Sequence, residues 1–188
     1  MKTSIIIQAR MGSKRLPGKN LIKITREYSL IELVILRLQK SKKIDDIIVA
    51  TSNKQVDDKL VKKIKKLNVK IHRGPEKDTL KRFFQAAKKF KVKKIIRITS
   101  DCALSDPRLV DNYISIFDKK KLDYLSNTLH LTGLNLKMKA SENFYNFPDG
   151  FDIEIFNFKL LSKAYKKVKK KNRKEGAVVT QFFKLYPA

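Results

Sequence analysis

Hydrophobic positions come in two rhythms that alternate along the chain. Short β-branched runs are followed by longer stretches in which apolar residues return every three or four positions. Thr3–Gln8 (TSIIIQ) is predicted as a first strand, 29–39 (SLIELVILRLQ) as a helix opened by the capping-box pair Ser29 and Glu32, and 46–51 (DIIVAT) as a second strand. A helix over 55–67 places Val56, Leu60, Ile64 and Leu67 on one face. A brief strand follows at 69–72, and Asp78 caps a helix that runs to Phe90. Lys94–Thr99 (KIIRIT) is a fourth strand. Asp106 before Pro107 starts a helix reaching Phe117, because proline suits the first helical position.

The second half is less regular. It predicts a strand at 123–127, a loop or irregular hairpin over 129–146, a strand at 152–156 (DIEIF) and a basic amphipathic helix over 160–171. Repeated strand–helix alternation implies an α/β fold, a parallel sheet with helices on both faces. With no internal repeat, flexible linker or low-complexity tail, residues 1–188 read as a single domain.

Composition narrows this picture. At 188 residues and 42% hydrophobic, the chain can bury a real core. Its apolar runs are too short for membrane insertion, and the N-terminus lacks the pattern of a signal peptide. Cys102 is the one cysteine, so an internal disulfide is excluded and a cytoplasmic protein is expected. The net charge of +26, from 44 Lys+Arg against 18 Asp+Glu, favours an anionic partner. Yet most of the lysines recur in amphipathic stretches such as 59–67 and 164–174, where they read as a solvated helix face. Both readings stay open. A nucleic-acid module is disfavoured, because the aromatics of 82–85 (RFFQ) and 181–186 (QFFKLY) fall at core-facing helical positions.

The loop after the first strand concentrates the chemistry. In open α/β sheets ligands bind beyond the carboxyl ends of the strands, and residues 9–20 occupy such a place. Arg10 can fork onto two phosphate oxygens and Lys19 acts as a point charge. Gly12 permits close approach of the backbone, and Pro17 and Gly18 turn the loop. It is neither a Walker A loop nor a dinucleotide fingerprint: five residues separate Gly12 from Gly18, Asn20 stands after Lys19 where a hydroxyl belongs, and Gly-x-Gly-x-x-Gly is absent. Two carboxylates complete the candidate site. Asp101 follows the fourth strand and Asp152 opens the DIEIF strand, and if both face the crevice they offer two hard oxygen ligands for magnesium. Alternation places Glu154 on the face of Asp152 as a further contributor, with Asp149 a weaker one. Cys102 reads as a packing residue. One cysteine with His72 and His130 far apart argues against zinc, and a serine hydrolase lacks its nucleophile elbow.

The run QARMGSKRLPGKNL (8–21) resembles the opening motif of the cytidylyltransferases that make CMP-activated acidic sugars, and most closely the branch named for spore coat polysaccharide biosynthesis protein F. VATSN (49–53), RGPEKDTLKRFFQAA (73–87), RITSDCALSDPRLVD (97–111) and FPDGFDIEIFN (147–157) agree in order. The resemblance implies a three-layer α/β/α Rossmann-like fold of the nucleotide-diphospho-sugar transferase type, with a mostly parallel sheet. It implies CTP and a sugar as substrates, Mg2+ or another divalent cation as cofactor, and attack of a sugar hydroxyl on the α-phosphate. Arg10 and Lys19 match triphosphate contacts, and with Asp101 they form the catalytic set. Ala9, Met11, Gly12 and Ser13 match the loop shaping the nucleotide site, Arg73 and Gly74 a segment near the base and ribose, and Asp101 with Asp152 the metal pair.

Departures from the family pattern bear on activity. Arg173 and Glu175 remain recognisable in RKEGAVVTQFF (173–183), but Gly176, Ala177 and Val178 stand where a histidine is expected. The pattern also runs on past KLYPA, where this chain stops, so nucleotide binding is expected to be better preserved than turnover. A homodimer surface could lie in that missing part. Two alternatives follow: a GT-A-like glycosyltransferase, for which SDCALSD offers only a stretched Asp-x-Asp, and a truncated non-catalytic nucleotide-binding relative.

Overall fold

Ile5, Ile6 and Ile7 are consecutive and all fully buried, which requires a strand covered on both faces. In the computed structural model, which describes residues 1–13, 15–127 and 150–168, that strand is β1 (Thr3–Gln8) at the centre of a six-stranded sheet. The other strands are β2 (Asp46–Ser52), β3 (Lys70–Gly74), β4 (Lys94–Thr99), β5 (Tyr124–Ser126) and β6 (Glu154–Asn157). Their order is β3-β2-β1-β4-β6-β5. β1 pairs in parallel with β2 and β4, β2 pairs in parallel with β3, and β6 alone is reversed between β4 and β5.

Helices cover both faces. α1 (Leu30–Leu38), α2 (Asp58–Ile64) and α4 (Pro107–Lys119) bury Val34, Ile64 and Ile114 against Ile5, Ile7, Ile96 and Ile98. α3 (Thr79–Lys89) and α5 (Phe158–Lys167) bury Phe83 and Leu161 against Ile6, Ile95 and Phe156. The three-layer α/β/α arrangement is therefore present. The expected caps form: Asp78 accepts from the Lys81 N–H, Asp106 from the Arg108 N–H, and Glu32 from the Ser29 N–H at 2.9 Å. Cys102 is buried.

β3 runs on to Gly74, beyond the strand expected at 69–72, and three other elements differ from the sequence reading in ways that bear on the site. The helix expected over 55–67 is an α2 segment between two 3-10 turns, and in the first turn Val56 faces solvent while Asp57 is fully buried. Asp57 turns inward because three hydrogen-bond donors await it there. The strand expected at 152–156 begins at Glu154, because the Asn127 side chain takes over the preceding backbone: it donates to Phe151 O and accepts from Ile153 N, both at 2.8 Å. Asp152 thus precedes the strand, and alternation does not place it on the face of Glu154. Finally, α5 starts at Phe158 rather than 160, since the Asn157 side chain caps it through the Leu160 N–H. The loop expected over 129–146, Asp149 and residues 173–183 lie outside the described residues.

Candidate functional site

The parallel register sets the carboxyl ends of β1, β2 and β4 side by side. Gln8 lies opposite Ala50 on one flank and Thr99 on the other. The chain leaving β1 folds into a compact loop, with Ser13 N and Gly18 N both donating to Met11 O at 2.9 and 3.0 Å. Gly18 has a φ of +74°, a conformation that favours glycine. Buried Asn20 donates from Nδ2 to Arg10 O at 2.7 Å, which ties the loop's return to its start.

Asp57 anchors the loop from below. Its Oδ1 accepts from Met11 N at 2.7 Å, and its Oδ2 accepts from Ser52 N and Thr51 Oγ1, each at 2.8 Å. The carboxylate thereby fastens the loop to the end of β2. The Met11 N–H is committed to this contact, so Met11 shapes the loop rather than offering a donor to a ligand. Glu76 lies against the loop as well. A Cβ at Gly12 would come within 3.0 Å of Glu76 Oε1, so the glycine keeps that approach open.

Above the strand ends lies a cleft of about 290 Å³. Gln8, Thr99, Ser100 and Asp101 line it from the sheet side, and Arg10, Ser13, Arg15 and Lys19 line it from the loop. Four candidate residues thus meet here: Arg10, Ser13, Lys19 and Asp101. Arg15 belongs to the lining as well. Lys19 Nζ pairs with Asp101 Oδ2 at 2.5 Å. Burial pushes the Asp101 carboxyl upward, but hydrogen bonds from Lys19 and Thr99 outweigh it and hold the group below the usual carboxylate range.

Asp152 falls in the same neighbourhood. Burial pushes the Cys102 thiol up, a hydrogen bond with Thr99 opposes this, and the charges of Asp152 and Asp101 add to the rise. Both carboxylates therefore act on one buried thiol beside the cleft. Asp152 is not among the residues that line the cleft, so the two carboxylates share an electrostatic neighbourhood around Cys102 rather than one lining. Among the described residues no group of three or more His, Cys, Asp or Glu gathers to hold a metal alone.

Glu154 is committed elsewhere. It is buried, pairs with Arg97 and accepts from Tyr124 Oη at 3.0 Å. Arg73 stands at the end of β3, outside the cleft lining. Its guanidinium donates to Ser52 O, Lys54 O and Asp58 Oδ1, and so braces the turn that follows β2. Gly74, beside it, is closely enclosed, since a Cβ there would lie 3.0 Å from Arg82 Cγ.

Three further residues escaped the sequence reading. Asp57 lies beside Asp58 at the start of the α2 region, and only its burial shows its role. Arg82 sits on the polar-looking side of α3, yet it is buried and donates to Pro75 O at 2.6 Å and Glu76 O at 3.1 Å. Burial, with the Arg10 charge, lowers its pKa to about 10, while Asp57, Glu76 and Asp78 oppose that shift. Gln8 was detectable in principle, as a polar residue closing an apolar strand at the crevice edge.

A family model described as Cytidylyltransferase matches residues 4–179. An uncharacterized protein of Methanocaldococcus jannaschii is 39% identical over 175 residues, covering 93% of this chain and 65% of that protein. The spore coat polysaccharide biosynthesis protein SpsF of Bacillus subtilis is 37% identical over 123 residues, covering 63% of this chain and 51% of that protein. The chain thus spans less than two thirds of the length of these curated relatives. Among solved structures, a cytidylyltransferase from Leptospira borgpetersenii superposes with a TM-score of 0.82 at 30% identity, covering 99% of this chain and 72% of that one. A CMP:2-keto-3-deoxy-manno-octonic acid synthetase complexed with CTP shares the fold, with a TM-score of 0.67 at 18% identity over 98% of this chain and 83% of that one.

Proposed function

The chain belongs to the cytidylyltransferase family, and from that premise we propose that it transfers the cytidylyl group of CTP to a hydroxyl of a sugar, releasing pyrophosphate. The observation that carries the proposal is the cleft over β1 and β4, where Arg10, Arg15 and Lys19 converge on one side and Asp101 stands on the other. Three cations in one cleft suit a triphosphate far better than a neutral ligand. The name of the SpsF relative supports a product destined for surface polysaccharide, and the CTP named with the synthetase neighbour supports the choice of nucleotide.

The sugar oxygen forms a new bond to the α-phosphorus, and the bridging bond between the α- and β-phosphates breaks. Pyrophosphate departs with that electron pair, and the hydroxyl proton leaves to water. Little covalent chemistry falls to the protein, so its contribution is orientation and charge. Arg10 grips phosphate oxygens as a planar fork, and Lys19 meets charge that builds on the leaving group. Without nucleotide, Lys19 is held by Asp101; on binding, the phosphates replace that carboxylate as its partner and release the Asp101 oxygens. A divalent cation such as Mg2+ would be held by Asp101 and Asp152, where it supplies neutralisation of the triphosphate.

A pyrophosphate-release screen tests the reading, with CTP set against the other nucleoside triphosphates, Mg2+ and a panel of acidic sugars. CTP-selective release is expected, and Asp101→Ala should reduce it at least a hundredfold. Undiminished release in that variant would remove Asp101 from the mechanism. CTP binding without release for any sugar would refute transfer.

A further inference from the structure

The cleft has two chemically different sides. The loop side is cationic, whereas the strand ends offer the neutral hydrogen-bonding residues Gln8, Thr99 and Ser100 beside the acidic Asp101. Cations suit phosphates, and neutral donors and acceptors suit the hydroxyls and carboxylate of a sugar.

Gln8 is oriented by a buried network. Arg97 Nη2 donates to Gln8 Oε1 at 3.1 Å, while Nη1 of the same guanidinium pairs with Glu154. Glu154 also accepts from Tyr124 Oη at 3.0 Å. Arg97 and Glu154 are both buried. A guanidinium has donors only, so the amide must turn its oxygen toward Arg97. Its Nε2 then turns the other way, and it meets no acceptor among the described residues. The network runs from β1 across β4 to β6 and β5. It therefore supports the half of the cleft away from β2, where Asp57 anchors the cationic loop.

We propose that Gln8 is a sugar-reading residue: its Nε2, locked by Arg97 and Glu154, donates to an oxygen of the acceptor sugar while the loop cations take the triphosphate. This rests on the transfer reading above and adds the side of the cleft where the acceptor sits. The amide faces the sugar as a fixed donor, so it favours an acceptor oxygen such as a carboxylate or an unprotonated edge of a hydroxyl.

Gln8→Glu keeps the acceptor facing Arg97 and replaces the donor facing the cleft, while Gln8→Leu removes both. In calorimetry with CTP and Mg2+, both variants should keep the wild-type Kd within about twofold. In pyrophosphate release with whichever panel sugar the wild type uses, KM for the sugar should rise at least tenfold while KM for CTP holds. A tenfold weaker Kd for CTP, or an unchanged KM for the sugar, overturns the proposal. If the wild type binds CTP but turns over no sugar, transfer itself fails, and the Gln8 side-chain amide decides the matter separately. Its signal is identified in a nitrogen-15 spectrum by its loss in Gln8→Glu. A shift on adding panel sugar acids to CTP-saturated protein supports the assignment. A shift with CTP alone, or with no sugar acid, overturns it.

Discussion

Replacing Asp57 by asparagine removes one charge and turns one acceptor into a donor, at a site with no solvent to absorb the change. Asp57 is fully buried and accepts three hydrogen bonds, one on Oδ1 and two on Oδ2. An asparagine amide keeps more contacts by facing its oxygen toward Ser52 N–H and the Thr51 hydroxyl. Its NH2 then confronts the Met11 N–H, donor against donor. A hydrogen bond to a charged group contributes about 1.5–3 kcal/mol, so Asp57→Asn should lower stability by about 2 kcal/mol. Met11 is only partly buried, and its N–H can recover by swinging toward water. That movement carries Arg10 and Gly12 with it, so the second cost falls on the nucleotide: the Kd for CTP should rise on the order of tenfold, about 1.4 kcal/mol. Asp57→Ala strands all three donors and should cost about 4 kcal/mol. Urea unfolding gives the first quantity and calorimetry with CTP and Mg2+ the second. If Asp57→Asn loses the stability but binds CTP as tightly as wild type, the loop does not depend on this anchor, and the positioning role is wrong.

Other expectations concern the frame around the site. Breaking the buried Arg97–Glu154 pair with Arg97→Met takes the guanidinium away from a buried carboxylate and should cost about 3–5 kcal/mol by urea unfolding, while the double variant Arg97→Met, Glu154→Gln should recover part of it. Ser29→Ala deletes the hydroxyl that donates to Glu32 at 2.6 Å and should cost about 1 kcal/mol by thermal unfolding. Burial raises the Asp46 carboxyl, but Lys2 and Lys70 outweigh it and lower the net value below the usual carboxylate range. A lowered folded-state pKa gives stability that is present above the unfolded value and lost as pH falls through the folded one. The stability gap between wild type and Asp46→Asn should therefore stay constant from neutral pH to about pH 4 and close on further acidification, and closure by about pH 6 would contradict this.

The layered fold was legible because apolar periodicity reports burial directly. Ile5, Ile6 and Ile7 demand a doubly covered strand, and Asp78 and Asp106 mark helix starts through a local hydrogen bond that needs no tertiary context. Two of the misread boundaries share one cause: a side chain replaced a backbone partner. Asn127 displaces the start of β6, and Asn157 advances the start of α5. Such substitutions depend on residues distant in sequence or on which of two polar residues reaches first. Of the candidate site, the charges on the loop were legible and the groups that aim them were not. Asp57, Arg82 and Arg97 are buried polar residues, and their value comes from partners that folding alone assembles.

The overall charge illustrates the same division between composition and arrangement. Lys59, Lys62, Lys65 and Lys66 of the α2 region are exposed, as a solvated helix face requires. Charges of that kind are screened within about 10 Å at 0.1 M salt and act as a diffuse background. Among the described residues, the cleft lining draws on Arg10, Arg15 and Lys19 alone from the basic inventory. It also meets those cations with nearby carboxylates. Asp101 holds Lys19, and the Arg82 guanidinium feels Arg10 as a repulsion that Asp57, Glu76 and Asp78 offset. A loop this cationic would splay apart without such partners, because like charges in a partly desolvated cleft repel more strongly than they do in water. The carboxylates therefore offset repulsion within the loop, and under the proposed function Asp101, in direct contact with Lys19, is the one a triphosphate would displace. What distinguishes this cleft is the balance of charges within it, and the net charge of +26 carries little information about it.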